Sequence, residues 1–244
     1  MVALNYEQKH IHVNKFSRPG FKLLKVAATV IHYTANNGGT ADNHFSYFDT
    51  LTDRYASAHI FVDKNKALEI IPLDEVAFHA NERKEGPLIP SLKATAPYYG
   101  GGNANLISIG IEMCMEKDGM IHPDTITRTI LVVQMLQQKF GKQPIYRHYD
   151  VTGKNCPAPF VSDKSKWEKF LADVEKKEEN QVAEEQKLTP AQEAVRQEAI
   201  RLKITDGKDP FRAVNQFYGW ALAIPQAQKI EALEKRIVEL EKNK

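Results

Sequence analysis

The 244-residue chain predicts an α/β fold, a central mixed β-sheet flanked by helices, followed by a small helical C-terminal unit. Three observations carry that expectation. β-Branched runs such as Val26–Tyr33 alternate with helix-period segments such as Asp124–Phe140, the pattern of strands covered by helices. Two short runs, His59–Asp63 and Ala67–Ile71, flank the turn Asp63-Lys-Asn-Lys66 and predict a hairpin within the sheet. An almost wholly polar stretch, residues 175–187, then separates residues 1–174 from residues 188–244.

In chain order, Val26–Tyr33 is a strand on which His32 shares a face with Val30 and Ala28, by the period of two. Residues 41–53 carry Phe45, Phe48 and Leu51 and predict a helix. Residues 82–105 hold Gly86, Pro87, Pro90, Pro97 and Gly100 to Gly102, a long irregular loop of the kind that carries function or moves. Leu106–Met115 is a strand with Ile107, Ile109, Ile111 and Met113 on one face. Ser108, Gly110, Glu112 and Cys114 take the other. Asp124–Phe140 is a helix with Asp124 as N-cap, an apolar face of Ile126, Ile130, Val133, Leu136 and Phe140, and Gly141 as its stop. Ile145–His148 is a short strand, and Ser162–Val174 a closing helix with Trp167, Phe170, Leu171 and Val174 inward.

The stretch 175–187 is a linker, either a solvated helix or an extended tether. Beyond it, Thr189-Pro190 opens a helix with Val195, Ala199 and Leu202 on its core face, and Thr205-Asp-Gly207 makes a turn. Asp209-Pro210 opens a second helix bearing Phe211, Val214, Tyr218 and Leu222. From Pro225 onward, Ile230, Leu233, Ile237 and Leu240 make a heptad-like seam about two heptads long, which offers self-association into a homo-oligomer.

Composition narrows the partners. Hydrophobic residues at 42% and charged residues at 26% are ordinary for a soluble globular protein, and a net charge of +2 gives no argument for nucleic acid. Two cysteines, Cys114 and Cys156, make no disulfide framework. No run has the length of a signal-peptide core or a membrane span, so the expectation is cytosolic synthesis without a signal peptide and no membrane partner.

The chemistry concentrates in His148-Tyr-Asp-Val-Thr-Gly-Lys154-Asn-Cys156-Pro. A His and a Cys bracket a Lys, and upstream His32 ends a β-branched run. His32, His148 and Cys156 around a tetrahedral zinc ion leave one open position, the requirement of hydrolytic zinc chemistry. The alternative is a thiol peptidase with Cys156 as nucleophile and His148 or His32 as its base. Glu112 lies on the polar face of an otherwise buried strand and is a candidate to take the proton of the attacking water; a structural salt bridge is the bland alternative. Lys154, two residues before Cys156, is placed to stabilise an oxyanion, unless it is a solvated surface Lys. Cys114 reads as a small buried hydrophobe, and His10, His12 and His122 as surface residues.

Five segments in order resemble the type-2 zinc-dependent N-acetylmuramoyl-L-alanine amidases, a group that includes phage endolysins and the peptidoglycan-recognition fold. They are Val30-Ile-His32-Tyr-Thr, Ser57-Ala-His59-Ile-Phe-Val-Asp63, Ala77-Phe-His79-Ala, Ser108-Ile-Gly-Ile-Glu112, and Arg147-His148 through Lys154-Asn-Cys156-Pro157. The likeness spans roughly residues 20–165. It implies a zinc site of His32, His148 and Cys156 at the sheet edge, with Glu112 and Lys154 catalytic. Phe78 stands where the family often has Trp. The implied reaction is hydrolysis of the amide between N-acetylmuramic acid and the L-alanine of the stem peptide in bacterial peptidoglycan. His59 and His79 are expected to line the substrate groove, or else to be core histidines, and His44 is a weaker candidate. The resemblance also implies an endolysin made in a host cytoplasm that acts on the wall after release. A non-catalytic peptidoglycan-binding receptor of the same fold is the other possibility, and retention of Cys156 and both histidines favours the enzyme. Residues 188–244 are expected to bind cell wall through Phe217, Tyr218 or Trp220, or to self-associate.

Overall fold

The structure is a computed structural model that describes residues 2–185, 190–202 and 216–242. Contacts divide the chain into two compact units, Met1–Glu178 and Glu179–Lys244.

The first unit is built on a six-stranded sheet in the order β1-β4-β3-β5-β2-β6. Its strands are β1 (Tyr6–Gln8), β2 (Ala28–Asn37), β3 (Ile60–Val62), β4 (Ala67–Glu69), β5 (Ser108–Met115) and β6 (Ile145–Arg147). The β3–β4 hairpin is antiparallel and every other neighbouring pair is parallel, so the sheet is mixed, as the sequence predicts. The helices are α1 (Ala41–Asp49), α2 (Pro123–Phe140), α3 (His148–Thr152), α4 (Ala158–Ser162) and α5 (Lys164–Glu185). Alternation along the strands sends Ile31, Ile109, Ile111 and Met113 to one face. There they pack with Ile130, Val133 and Leu136 of α2 and Trp167, Phe170 and Val174 of α5. On the opposite face Phe61, Leu68 and Cys114 pack with Ala41 and Phe48 of α1, while Ala28 and Val30 pack with Leu92 and Ala104 of the long loop. Side chains of this size are each worth about 1.5–3 kcal/mol when buried, so the sheet is held from both sides. That second face also carries His32 and Glu112, which stand opposite each other in the β2–β5 register.

Several local features depart from the sequence expectation. Strand β1 has only three residues, too few for a period to show, and it joins the sheet beside β4. Helix α2 is capped by His122, whose Nδ1 accepts the Asp124 N–H at 3.1 Å, and Asp124 lies inside the first turn. His148 opens α3 instead of ending the β6 strand. The closing helix is two elements, α4 and α5, with a break at Asp163. Of the two forms open to the 175–187 stretch, the helical one holds through Glu185.

In the second unit, α6 (Pro190–Arg201) and α7 (Gln216–Lys242) meet through buried Ala199 and Ile224, with Val195 and Leu202 against them. Pro225 lies inside α7 instead of starting a new segment. Ile230, Leu233 and Ile237 are each more than half exposed. Residues 203–215 and the side chains of Phe217, Tyr218, Trp220, Leu222 and Leu240 lie outside the described residues. Among the described residues no helix is long and apolar enough to cross a membrane.

Candidate metal centre

The site forms where parallel strands end, on the face between α1 and the long loop. β2 delivers His32, β6 runs directly into His148 at the start of α3, and the turn after α3 returns Cys156. Gly153, at φ 82°, closes α3 in the left-handed conformation and turns the chain back toward the site. Tyr149 N–H then donates to the Cys156 carbonyl at 2.8 Å, which locks the returning turn against the helix. Beyond Tyr33 the β2 register shifts, and Ala35 takes φ 49° there, a bulge of the kind that re-aims chains beside active sites.

His32, His148 and Cys156 are all buried, and one ligand atom of each lies within 4.8 Å of the other two. His32 Nδ1 is 3.0 Å from His148 Nδ1 and 3.8 Å from Cys156 Sγ. A tetrahedral centre with ligand bonds of about 2.0–2.3 Å separates its ligand atoms by roughly 3.3–3.6 Å, so the donor set matches in type and spacing.

Hydrogen bonding behind the two histidines fixes which nitrogen faces the cluster. Ser108 Oγ donates to the Ala104 carbonyl at 2.7 Å, so both Ser108 oxygens near His79 Nε2 are acceptors, at 3.3 and 3.4 Å. His79 Nε2 therefore carries the hydrogen, and its Nδ1 accepts from His32 Nε2 at 3.1 Å. Burial keeps both rings neutral, with the His32 pKa pushed well down and that of His79 down to about 3. His148 Nε2 donates to Glu82 Oε2 at 2.8 Å. Nδ1 of neutral His32 thus presents its lone pair to His148 Nδ1 at 3.0 Å, a spacing that places a cation or a proton between the two rings. The arrangement suits a metal ion.

Glu112 stands beside this cluster on β5. It forms no ion pair, its Oε2 finds no hydrogen-bond partner among the described residues, and burial pushes its pKa up to about 8 against a weak opposing pull from Lys154. The structural salt bridge considered for Glu112 is thereby absent among the described residues. Lys154 is more than half exposed and donates to Glu82 Oε1 at 3.2 Å. His32, Glu112, His148, Lys154 and Cys156 all line one cavity of about 820 Å³, whose other wall includes Asn43, Tyr47, Arg54 and Tyr55.

The remaining histidines divide. His79 lines the cavity, but its ring is committed to His32 and Ser108. It approaches β5 closely enough that a Cβ at Gly110 would meet its Cγ at 2.6 Å. His59 does not line a groove. It is fully buried, accepting the Gly110 N–H at Nδ1 and donating from Nε2 to the Glu75 carbonyl, so it is a satisfied core histidine. His44 lines the cavity wall, stacked on Phe61 with Nε2 unpartnered among the described residues. Glu82 is the residue that sequence reasoning missed. Its carboxyl is held down to about 2 against the upward push of burial, by its bond to His148 and the charge of Lys154. The signal was thin: one acid at the start of an irregular loop, three residues after His79.

The family model for N-acetylmuramoyl-L-alanine amidase matches residues 22–159, which contain every residue of this site. The chain belongs to that family. The N-acetylmuramoyl-L-alanine amidase BlyA of Bacillus subtilis strain 168 is 50% identical over 179 residues, which cover 70% of this chain and 47% of that protein. CwlL, the N-acetylmuramoyl-L-alanine amidase of Bacillus licheniformis, is 43% identical over 171 residues, 68% of this chain and 45% of that protein. The chain spans about half the length of these curated relatives. Among solved structures, the catalytic domain of XlyA aligns with a TM-score of 0.55 at 27% identity, covering 70% of this chain and 99% of that domain.

Proposed function

We propose that this chain is a zinc-dependent peptidoglycan hydrolase of the endolysin kind, cleaving the amide between N-acetylmuramic acid and the L-alanine of the stem peptide. The observation that carries the reading is the set of three buried donor atoms beside an unpartnered buried carboxyl. The names of the relatives supply the bond.

In this reading His32, His148 and Cys156 hold zinc, which when bound polarises the scissile carbonyl and activates water. Glu112 takes the proton of the attacking water, and a pKa near 8 suits a base working close to neutral pH. It later returns that proton to the departing amine. Lys154, at the cavity mouth, steadies the negative charge that develops on the carbonyl oxygen. The cavity is large enough for a peptide branch together with part of a sugar.

Burial pushes the Cys156 thiol up to about 12, the opposite of what a free thiolate nucleophile needs, and this weighs against the thiol-peptidase alternative. Residues 1–174 form the catalytic domain in this reading, residues 175–187 the linker, and residues 188–244 a unit that binds wall or self-associates. The exposed Ile230, Leu233 and Ile237 on α7 support self-association, and a concentration-independent monomer in sedimentation removes that idea.

The deciding experiment measures lysis of purified cell walls and bound metal together, before chelation, after it, and after zinc is restored. The expected result is lysis lost on chelation and regained near one zinc per chain, with new N-terminal L-alanine in the digest. Lysis that persists without metal overturns the reading.

A further inference from the structure

We propose that Glu82 is a positioning residue for two partners at once, fixing His148 as a ligand through one carboxylate oxygen and holding Lys154 over the cavity through the other. The inference rests on the zinc reading above.

Oε2 accepts from His148 Nε2 at 2.8 Å and Oε1 accepts from Lys154 Nζ at 3.2 Å. These partners lie 66 and 72 residues away along the chain, so the contact is made by the fold and not by local sequence. The segment leading to Glu82 is anchored: Asn105, itself buried, accepts the N–H groups of both His79 and Ala80 with one side-chain oxygen, at 3.1 and 2.8 Å. Three residues after the pinned His79, the chain presents its carboxylate at the boundary between the buried His148 and the exposed Lys154.

A carboxylate bonded to the far nitrogen of an imidazole sets the tautomer, aims the ring and makes the near nitrogen a better donor. Among the described residues Glu82 is the one carboxylate bonded to a ligand of this cluster; His32 leans on neutral His79 instead. Glu82 also compensates the charge of Lys154, so its loss leaves an unbalanced cation close to where a metal cation binds. Restraining Lys154 pre-places the group that meets the developing oxyanion.

The test uses the full chain as wild type, Glu82→Gln, and Glu85→Gln as a control on the same loop. Zinc affinity is read by competition with a chromophoric chelator, the melting temperature on the metal-free proteins, and the visible spectrum on the cobalt(II) forms. Glu82→Gln is expected to weaken zinc binding about 10- to 100-fold and to shift the cobalt bands. Its metal-free melting temperature should fall only slightly, as for the loss of a half-exposed ion pair, and Glu85→Gln should match wild type throughout. At saturating zinc Glu82→Gln should still lose kcat with little change in KM, because Lys154 is no longer held. Wild-type affinity and spectrum in Glu82→Gln overturn the proposal. If that variant melts far earlier without metal, Lys154→Met decides: it keeps the His148 contact and should bind zinc like wild type, and an equal loss of affinity overturns the assignment. A wild-type chain that binds no zinc overturns the zinc reading itself, an outcome distinct from failure of Glu82 alone.

Discussion

The two histidines of the cluster are supported in opposite ways. His32 leans inward on neutral groups, His79 and then Ser108, all buried under the sheet. His148 leans outward on a charged pair, Glu82 with Lys154, that is open to solvent. The inner side is part of the core, so damage to it reaches folding as well as the donor cluster. The outer side is electrostatic, and damage there stays at the site. The difference teaches that one ligand set can draw its rigidity from packing on one flank and its charge balance from the other.

The largest expected effect lies between the two sides. Glu112→Gln removes the proposed base and touches neither support, so it should lower wall hydrolysis by about 10²- to 10⁴-fold while zinc affinity stays at the wild-type value. Chelator competition and a lysis assay on the same preparation check both halves, and retained lysis would remove Glu112 from the mechanism. Next comes Gly110→Ala on the inner side. Its new Cβ would sit 2.6 Å from His79 Cγ and 2.8 Å from Nδ1, and a buried ring bonded at both ends has little room to give. Overpacking of this kind costs about 1–3 kcal/mol, and here it should also displace the support of His32 and weaken zinc binding. Denaturant unfolding of the metal-free protein reads the first effect. If Gly110→Ala were as harmless to metal-free stability as Glu82→Gln is expected to be, the contrast between the two sides would collapse.

Much of this arrangement was legible in the sequence, and the rest was not, for physical reasons. Period-two alternation placed His32 with Val30 and set Glu112 opposite the Ile109–Met113 face of its strand, and the structure shows those faces. The two-residue spacing of Lys154 and Cys156 set both toward one side of their loop, and both line the cavity. His59 shows the limit: it occupies a family-like segment, yet its two ring nitrogens are taken by main-chain groups of Gly110 and Glu75, distant in sequence. Glu82 was invisible because its partners are 66 and 72 residues away and nothing periodic connects them. Strand β1 was missed for shortness, since three residues cannot display a pattern. His32 sits on a strand whose hydrophobic period reveals it, whereas Glu82 sits on a loop that only the tertiary fold aims.

Acid should separate the two sides by pH window. His79 and His59 titrate in the fold near 3 and 4, well below the unfolded value near 6.5, because burial disfavours their charge. Folded values that are depressed give stability that is complete above the unfolded pKa and is lost as pH falls toward the folded one. The inner side should therefore lose metal-free stability from about pH 6.5 downward. Glu82 is also depressed, to about 2 from its ordinary value of 4.5, but it is half exposed, so its contribution is small and is lost only below about pH 4.5. Glu112 has the opposite sign: raised to about 8, it costs stability as pH climbs from 4.5 through 8, and Glu112→Gln should flatten that limb. Melting temperature against pH on metal-free wild type, Glu82→Gln and Glu112→Gln tests all three. A Glu112→Gln curve, free of that opposing limb, that is level between pH 6.5 and 4.5 would contradict the buried-histidine account.

The smallest effect is salt, and it sharpens the comparison without changing a residue. The Glu82–Lys154 pair has side chains 47% and 59% exposed, so its attraction falls as the Debye length shrinks from about 10 Å at 0.1 M to about 3 Å at 1 M. The His32–His79–Ser108 chain is neutral and buried, and salt leaves it alone. An exposed pair is worth less than about 1 kcal/mol, so raising salt should change zinc affinity in the wild type by no more than about fivefold. Glu82→Gln has no such pair and should show a flatter dependence, once the salt response of the competing chelator is subtracted. Parallel slopes in the two proteins would mean that the outer support does not act through charge, and that Glu82 positions His148 by hydrogen-bond geometry alone.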